Sequence, residues 1–453
     1  MCRRKRSFRR GPSSEARTRR ALKRARDAYD RVAAFSPVAT IFGIIPCMTM
    51  MSETSIYTTN AEHSPWRAIL TKFAVFTLAF FALYALTAQR GLGWGDSGEF
   101  QFWVLKRTEI LPALSFSNSH PLYICFARLV ASTPFHVTLV SSLFGALAVG
   151  GFYLCSRNAP LTALFGLSHM LWRMSCLAEV QTMNLAFTAF VTLFILQYLK
   201  SGNNRWFVAA AFLSGLQLTV HNFALLQLPA MAVIFLIQLK NAKFGLWLLQ
   251  AFAVAAAWAI GAAYWLYAIF TRGVADVLVG KYADKVMGIF PQDMKLTIFN
   301  LALSMMSFLI PSMIVWWNRR ELKWKNDTIA WRCVIGLFAV NSFFFIRYFV
   351  PDQATFLLPT LFFAFLLLKD VKLPSTRMIP LVIMQILLPL IAYQIASQLP
   401  LEQNRTKHPY RNEAKYFAYP WKFNDDSADR CAELTSIEWN GYIPSITNTP
   451  LRK

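Results

Sequence analysis

Apolar residues in this chain fall in long blocks separated by short polar gaps. Eleven blocks lie at roughly 67–89, 137–155, 160–176, 180–199, 206–220, 223–239, 246–270, 296–317, 330–349, 354–368 and 378–398. Each approaches the ~20 residues a helix needs to cross a bilayer. The pattern predicts an all-α fold, a multi-pass transmembrane helical bundle of about eleven spans. A further apolar stretch, Leu122 to Ala131, is only about ten residues long. That length suits an interfacial or re-entrant helix rather than a span.

Composition agrees with the blocks. The 453 residues are 56% hydrophobic and 15% charged, whereas a soluble domain is about 25% charged. Disordered, collagen-like and disulfide-scaffold classes are excluded by the same numbers. The seven cysteines show no pairing or zinc spacing and read as small buried hydrophobes.

The net charge of +23 resembles a nucleic-acid signal until its location is considered. Thirteen Lys and Arg lie between Arg3 and Arg31, against Glu15, Asp27 and Asp30. Much of the rest sits in the gaps between apolar blocks. With the N-terminus inside, the inner gaps hold Arg157; Lys200 and Arg205; Lys240 and Lys243; Arg319, Arg320, Lys323 and Lys325; Lys369, Lys372 and Arg377. The short outer gaps 177–179, 221–222 and 350–353 hold no Lys or Arg, while the longer outer loops 90–120 and 271–295 carry some. This is the positive-inside rule. It predicts an N-in, C-out topology, provided that 121–133 does not span, and no nucleic-acid partner.

The chain divides into three regions. Residues 1–50 form a basic, disordered head. The methionines Met48, Met50 and Met51 offer an alternative start, and the Arg-rich, acid-poor head equally suits a targeting segment. Residues 66–398 form the transmembrane domain. Residues 399–453 form a short external tail, too small for a sizeable core.

Under this topology the unusual polar residues collect outside: Asp96, Glu99 and His120 in the first outer loop, Glu179 in the second, His221 and Asn222 in the third, and Asp352 in the fifth. A carboxylate at membrane depth costs roughly 2.5–3.5 kcal/mol on insertion scales and calls for a functional reason. The first loop reads Gly93-Trp94-Gly95-Asp96-Ser97-Gly98-Glu99-Phe100. Asp96 and Glu99, three apart, share one face if a helix begins there. They suit general-base work on an acceptor hydroxyl, or a divalent metal site, and Asp96 also suits a helix cap. His221-Asn222 equally reads as a plain polar turn. Arg173 and Arg347, near the outer ends of their blocks, either snorkel or bind phosphate. There is no Walker loop, GxSxG elbow or HExxH helix, so an activated donor would come from the membrane.

Taken in order, Gly95-Asp96-Ser97-Gly98-Glu99-Phe100, His120-Pro121-Leu122-Tyr123, Glu179 with Asn184-Leu185, His221-Asn222, and Val350-Pro351-Asp352-Gln353 with Pro359 resemble a known set. It is that of the domain-of-unknown-function 2723 family, related to the protein O-mannosyltransferases of the GT-C superfamily. The resemblance spans roughly residues 66–420. It implies a catalytic acid in the first non-cytoplasmic loop, matched by Asp96 with Glu99 beside it, and juxtamembrane helices, matched by 121–133. It also implies a polyprenyl-phosphate-linked sugar donor, and inverting transfer to an acceptor protein or glycan outside the cytoplasm. The family often has His-Pro-Pro-Gly-Tyr where Leu122 follows Pro121 here.

These readings together predict a membrane glycosyltransferase in the cell (inner) membrane. His120, Arg173, Glu179, His221, Asn222, Arg347 and Asp352 are the expected substrate-binding residues. No nucleotide cofactor is expected, and a divalent metal is left open. A transporter or flippase of lipid-linked sugars and a non-catalytic scaffold are the alternatives. The one-sided acids and the lack of an inverted repeat weigh against transport.

Overall fold

The computed structural model describes residues 65–91, 93, 96–106, 120–239, 244–278, 294–319, 328–348 and 353–396. The basic head, the C-terminal tail and Asp352 lie outside them. The chain divides into two compact units, 1–70 and 71–453. Of the first, only the opening of the first helix is described; the bundle and the site belong to the second.

All regular elements among the described residues are helical. In order they are α1 (Pro65–Leu86), α2 (Asp96–Lys106), α3 (Pro121–Val130), α4 (Pro134–Ser156), α5 (Ala159–Gly166), α6 (His169–Ser175), α7 (Gln181–Ser201) and α8 (Asn204–Gln217). A 3-10 turn, Asn222–Gln227, leads to α9 (Leu228–Leu239), α10 (Phe244–Gly261), α11 (Ala263–Arg272), α12 (Val274–Leu278), α13 (Met294–Asn318) and α14 (Ile329–Arg347). A second 3-10 turn, Gln353–Leu357, precedes α15 (Leu358–Leu366) and α16 (Ser375–Ala396).

Side-chain oxygens set several of the starts. Thr133 accepts from the His136 amide, Asn158 from Leu161 and Thr328 from Trp331, each at 3.2 Å. Pro follows Thr133 directly and lies two residues beyond Asn158, where a helix has no use for its amide.

Among the described residues, four helices are long and apolar enough to cross a membrane: Trp66–Leu86, Pro134–Ser156, Gln181–Ser201 and Ile329–Arg347. A fifth candidate is the pair α10 and α11, bent by 68°. The spans differ in role. α4 and α7 are 83% and 72% buried, against 11% and 28% for the windows in α1 and α14. The bundle is therefore built around α4 and α7, which pack against each other, while α1 and α14 show most of their surface outward. Phe152 of α4 stacks on Phe165 of α5 at 4.7 Å and meets Phe362 of α15 edge-on at 5.6 Å.

Several blocks that read as single spans are broken. The block 160–176 becomes α5 and α6, parted at Leu167-Ser168. Irregular backbone survives at membrane depth only where protein satisfies it, and here it does. Tyr84 Oη donates to the Gly166 carbonyl at 2.6 Å, and Gln385 Nε2 to that of Leu164 at 2.9 Å. Leu161, Leu164, Phe165, Met170 and Leu171 around the break are fully buried. The blocks 223–239 and 354–368 each open with a 3-10 turn, and 246–270 bends at Gly261-Ala262. The stretch 121–133 is the ten-residue α3, about 15 Å long and half a hydrocarbon core.

Close backbone approach explains one crossing. A Cβ on Gly215 of α8 would collide with the Trp258 carbonyl oxygen and stand 2.9 Å from the Ala262 amide. Reciprocally, a Cβ on Gly261 would collide with the Phe212 carbonyl and stand 2.9 Å from Leu216 N. The two glycines let α8 and α10 touch backbone to backbone, as small residues do in membrane helix pairs.

Candidate functional site

Asp96 is the first residue of α2 and is exposed. The N-terminal end of a helix favours an anionic side chain. The approach to it is held by Gln101, one turn into α2 and fully buried. Gln101 Oε1 accepts from the Gly93 amide at 2.6 Å, and its Nε2 donates to the carbonyls of Gly91 and Pro134, each at 3.2 Å. Gly91 and Gly93 are thereby held against the helix that follows them. Gly93 lies so close that a Cβ there would fall 2.7 Å from Ser97 Cβ. At the other end, Arg128 of α3 donates through Nη2 to the Trp103 carbonyl at 2.8 Å. Gly93, Gly95 and Gly98 stand at the spacing of a dinucleotide-binding turn. They follow a helix rather than a strand, so that context is missing.

The segment between α6 and α7 joins α2 through Ser97, which is buried and donates to Glu179 Oε1 at 3.0 Å. The Glu179 backbone is pinned too. Its amide donates to Ser141 Oγ at 2.8 Å, and Ser141 Oγ donates to the Glu179 carbonyl at 2.9 Å. Tyr123 Oη stands 2.9 Å from the same Ser141 oxygen. Burial, and then the Glu179 charge, push the Tyr123 phenol above its ordinary range. Thus Glu179 is fixed beside the start of α2 by residues of α2, α3 and α4.

The segment that follows α8 joins through His120. Phe100, one turn beyond Asp96, meets the rings of His120 at 5.5 Å and Tyr123 at 5.4 Å, both edge-on. His120 Nδ1 lies 2.7 Å from the Val220 carbonyl, and the Leu122 amide donates to the Thr219 carbonyl at 3.1 Å. The start of α3 is therefore docked on the end of α8. His120 and His221 stack, with centroids 5.2 Å apart and planes 20° from parallel. His120 also adopts the left-handed conformation, φ 43° and ψ 54°, uncommon for a residue with a side chain.

Burial pushes the imidazole of His120 down to about 4, its bond to Val220 offsetting only part of this. Burial, and then His120, push His221 well below its usual value. Unfolded histidine titrates near 6.5. Below that pH the unfolded chain binds protons that the native pair refuses, so stability is lost as pH falls from about 6.5 toward 4. We expect thermal unfolding of the detergent-solubilised protein at pH 5 to lie below that at pH 7.5. The gap should narrow in a variant with both histidines replaced by Asn. An equal pH response in that variant would assign the effect to other groups.

Asn222 has both ends of its amide engaged. Nδ2 donates to the Val277 carbonyl at 2.6 Å, and Oδ1 accepts from Trp265 Nε1 at 2.9 Å. It ties the 3-10 turn to α11 and α12. Arg173 lies on α6 and Arg347 ends α14, both partly buried. Both helices pack against the 3-10 turn Gln353–Leu357, whose Phe356 ring is 5.7 Å from His221. Glu99 lies within α2, and its side chain, like Asp352, falls outside the described residues. Among the described residues no three His, Cys, Asp or Glu side chains are grouped to hold a metal ion.

The sequence alone gives no separate role to Gln101, Ser141 or Tyr123. They are polar groups inside apolar helices, and only the tertiary contacts give them a task. Replacing Gln101 by Ala leaves the buried Gly93 amide without its acceptor. The expected loss is about 1–3 kcal/mol, seen as a lower unfolding midpoint. Unchanged stability would remove Gln101 from this role.

Residues 159–245, which hold Arg173, Glu179, His221 and Asn222, match the family model for the N-terminal domain of the protein O-mannosyl-transferase TMEM260. No curated protein sequence matches the chain. The fold resembles that of ArnT from Cupriavidus metallidurans bound to undecaprenyl phosphate, with a TM-score of 0.54 and 14% identity over 83% of this chain and 73% of that one. The apo state of the same ArnT gives 0.50 and 16% over 84% and 74%. This all-helical membrane chain therefore has an ArnT-like fold.

Proposed function

We propose that the chain is a GT-C membrane glycosyltransferase, akin to the domain-of-unknown-function 2723 and O-mannosyltransferase families. It moves a sugar from a polyprenyl-phosphate donor to an acceptor hydroxyl on the non-cytoplasmic face. The observation that carries the reading is the joining of three outer segments around the start of α2. Ser97 holds Glu179 beside Asp96, and Phe100 backs His120 and through it His221. The ArnT-like fold, in a relative crystallised with undecaprenyl phosphate, supports the donor class. The match to a protein O-mannosyl-transferase domain supports the reaction class.

The chemistry follows from the parts. Asp96 takes the proton of the acceptor hydroxyl as that oxygen attacks the sugar C1. The C1–oxygen bond to phosphate breaks, and the electron pair leaves with the polyprenyl phosphate. A single displacement of this kind inverts the anomeric centre. Arg173 and Arg347 offset the charge gathering on the phosphate, the kind of electrostatic help that usually dominates such transfers. Glu99, Glu179, His221 and Asp352 orient sugar or acceptor hydroxyls. The charge pattern of the gaps, with the N-terminus inside, supports putting these groups on one face.

Mass spectrometry of surface glycans and glycoproteins, from cells with and without the gene, tests the reading. Loss of a defined glycan is expected, and an unchanged profile contradicts it.

A further inference from the structure

The stacked histidines carry more than their position. The Val220 carbonyl can only accept, so its partner His120 Nδ1 bears the proton and His120 Nε2 the lone pair. The Phe223 amide can only donate, so His221 Nδ1, 3.2 Å away, bears the lone pair. Neutral His221 then carries its proton on Nε2. Both residues are partly exposed, and neither Nε2 has a hydrogen-bond partner among the described residues. Two parallel rings thus offer one acceptor and one donor, uncharged, in an aromatic frame. Phe100 stands edge-on to His120, and Phe223 and Phe356 lie 4.2 and 5.7 Å from His221.

We propose that His120 and His221 form a sugar-hydroxyl subsite. His221 Nε2–H donates to one hydroxyl oxygen of a glycosyl unit, and His120 Nε2 accepts the O–H of a neighbouring hydroxyl. The proposal rests on the glycosyl-transfer reading above and names its sugar contact. A phosphate is a poor fit, because it asks for several donors and positive charge. A metal is a poor fit, because the His221 Nδ1 lone pair is already taken by Phe223. A neutral polyol matches one donor beside one acceptor, and aromatic rings suit its C–H faces. The left-handed backbone of His120 fits this use, since such strain clusters at ligand sites.

The geometry also supplies clean variants. Asn at 120 tolerates the left-handed backbone and keeps a donor for Val220. Asn at 221 keeps an acceptor for the Phe223 amide and is a good helix cap. Each keeps the hydrogen bond made at Nδ1 and removes Nε2 together with the ring contacts. In the full chain in detergent, His120→Asn and His221→Asn are each expected to remain folded, with an unfolding temperature lowered only modestly by the lost ring contacts. Each should raise KM about ten-fold for one substrate, the loss of one neutral hydrogen bond. A rise for the polyprenyl-phosphate sugar puts the subsite on the donor, and a rise for the acceptor puts it there. His221→Gln, which restores a donor near Nε2, should recover KM while losing stability. Unchanged KM in both Asn variants overturns the proposal.

A second arm needs no transfer. Saturation-transfer NMR with the methyl glycosides of mannose, glucose and galactose should show binding to the wild type and not to the Asn variants. Binding that persists in both variants, or no binding to the wild type, overturns the subsite. Histidine-dependent binding without any transfer overturns the enzymatic reading instead.

Discussion

Asp96→Asn lowers sugar transfer by about 10²–10⁴-fold, the usual worth of a positioned general base, while the unfolding temperature stays at the wild-type value. The expectation comes from where the residue stands. Asp96 is exposed at the first position of α2, so an isosteric amide leaves the packing of the helix in place. Contacts of other residues help to fix α2: Gln101 to the Gly93 amide, Ser97 to Glu179, and Arg128 to the Trp103 carbonyl. What Asn cannot do is take a proton from an acceptor hydroxyl. The loss should therefore fall on kcat, with donor KM nearly unchanged. A comparable loss of both kcat and stability would make Asp96 a cap rather than a base.

Gly215→Val has the other large effect, and it acts on the fold. The new side chain would meet the Trp258 carbonyl and the Ala262 amide, both backbone atoms of the facing helix segment. Backbone cannot swing away as a flexible side chain can, so the helices α8 and α10 must part. Overpacking in a well-packed core costs about 1–3 kcal/mol and occasionally more, and a backbone collision belongs at the upper end. The site moves with it. The end of α8 leads into Thr219 and Val220, whose carbonyls receive the Leu122 amide and His120 Nδ1. The variant should show a lower unfolding temperature and lower transfer together. Gly215→Ala is expected to do the same more mildly. Wild-type stability in Gly215→Val would contradict the close crossing.

How far the chain could be read in advance depended on the kind of signal. Uniformly apolar stretches bounded by charge, such as those of α4, α7 and α14, announce themselves because bilayer length and hydropathy leave little choice. Breaks do not. The block 160–176 is apolar throughout, and what parts α5 from α6 is a pair of distant donors, Tyr84 and Gln385. Nor does local sequence show that α10 bends at Gly261, where a facing helix comes into backbone contact. The site divides in the same way. Asp96, His120, Glu179 and His221 stand out as polar residues beside apolar blocks. The structure links Ser97, neighbour of the first, to Glu179, and stacks the two histidines. Gln101, Ser141 and Tyr123 look ordinary in sequence, since their partners lie 8 to 38 residues away. Asn222 stood out as well, and its amide is engaged by Val277 and Trp265.

The central claim is that this membrane chain breaks the bond between a sugar and a polyprenyl phosphate. The most direct measurement incubates the purified full chain with a polyprenyl-phosphate sugar, labelled in the sugar, and an acceptor extract. Free polyprenyl phosphate and labelled acceptor are then counted together. The account predicts that the two appear in equal amounts with the wild type and that both fall together by about 10²–10⁴-fold with Asp96→Asn. Donor that is bound or moved across the bilayer with its sugar–phosphate bond intact would contradict it.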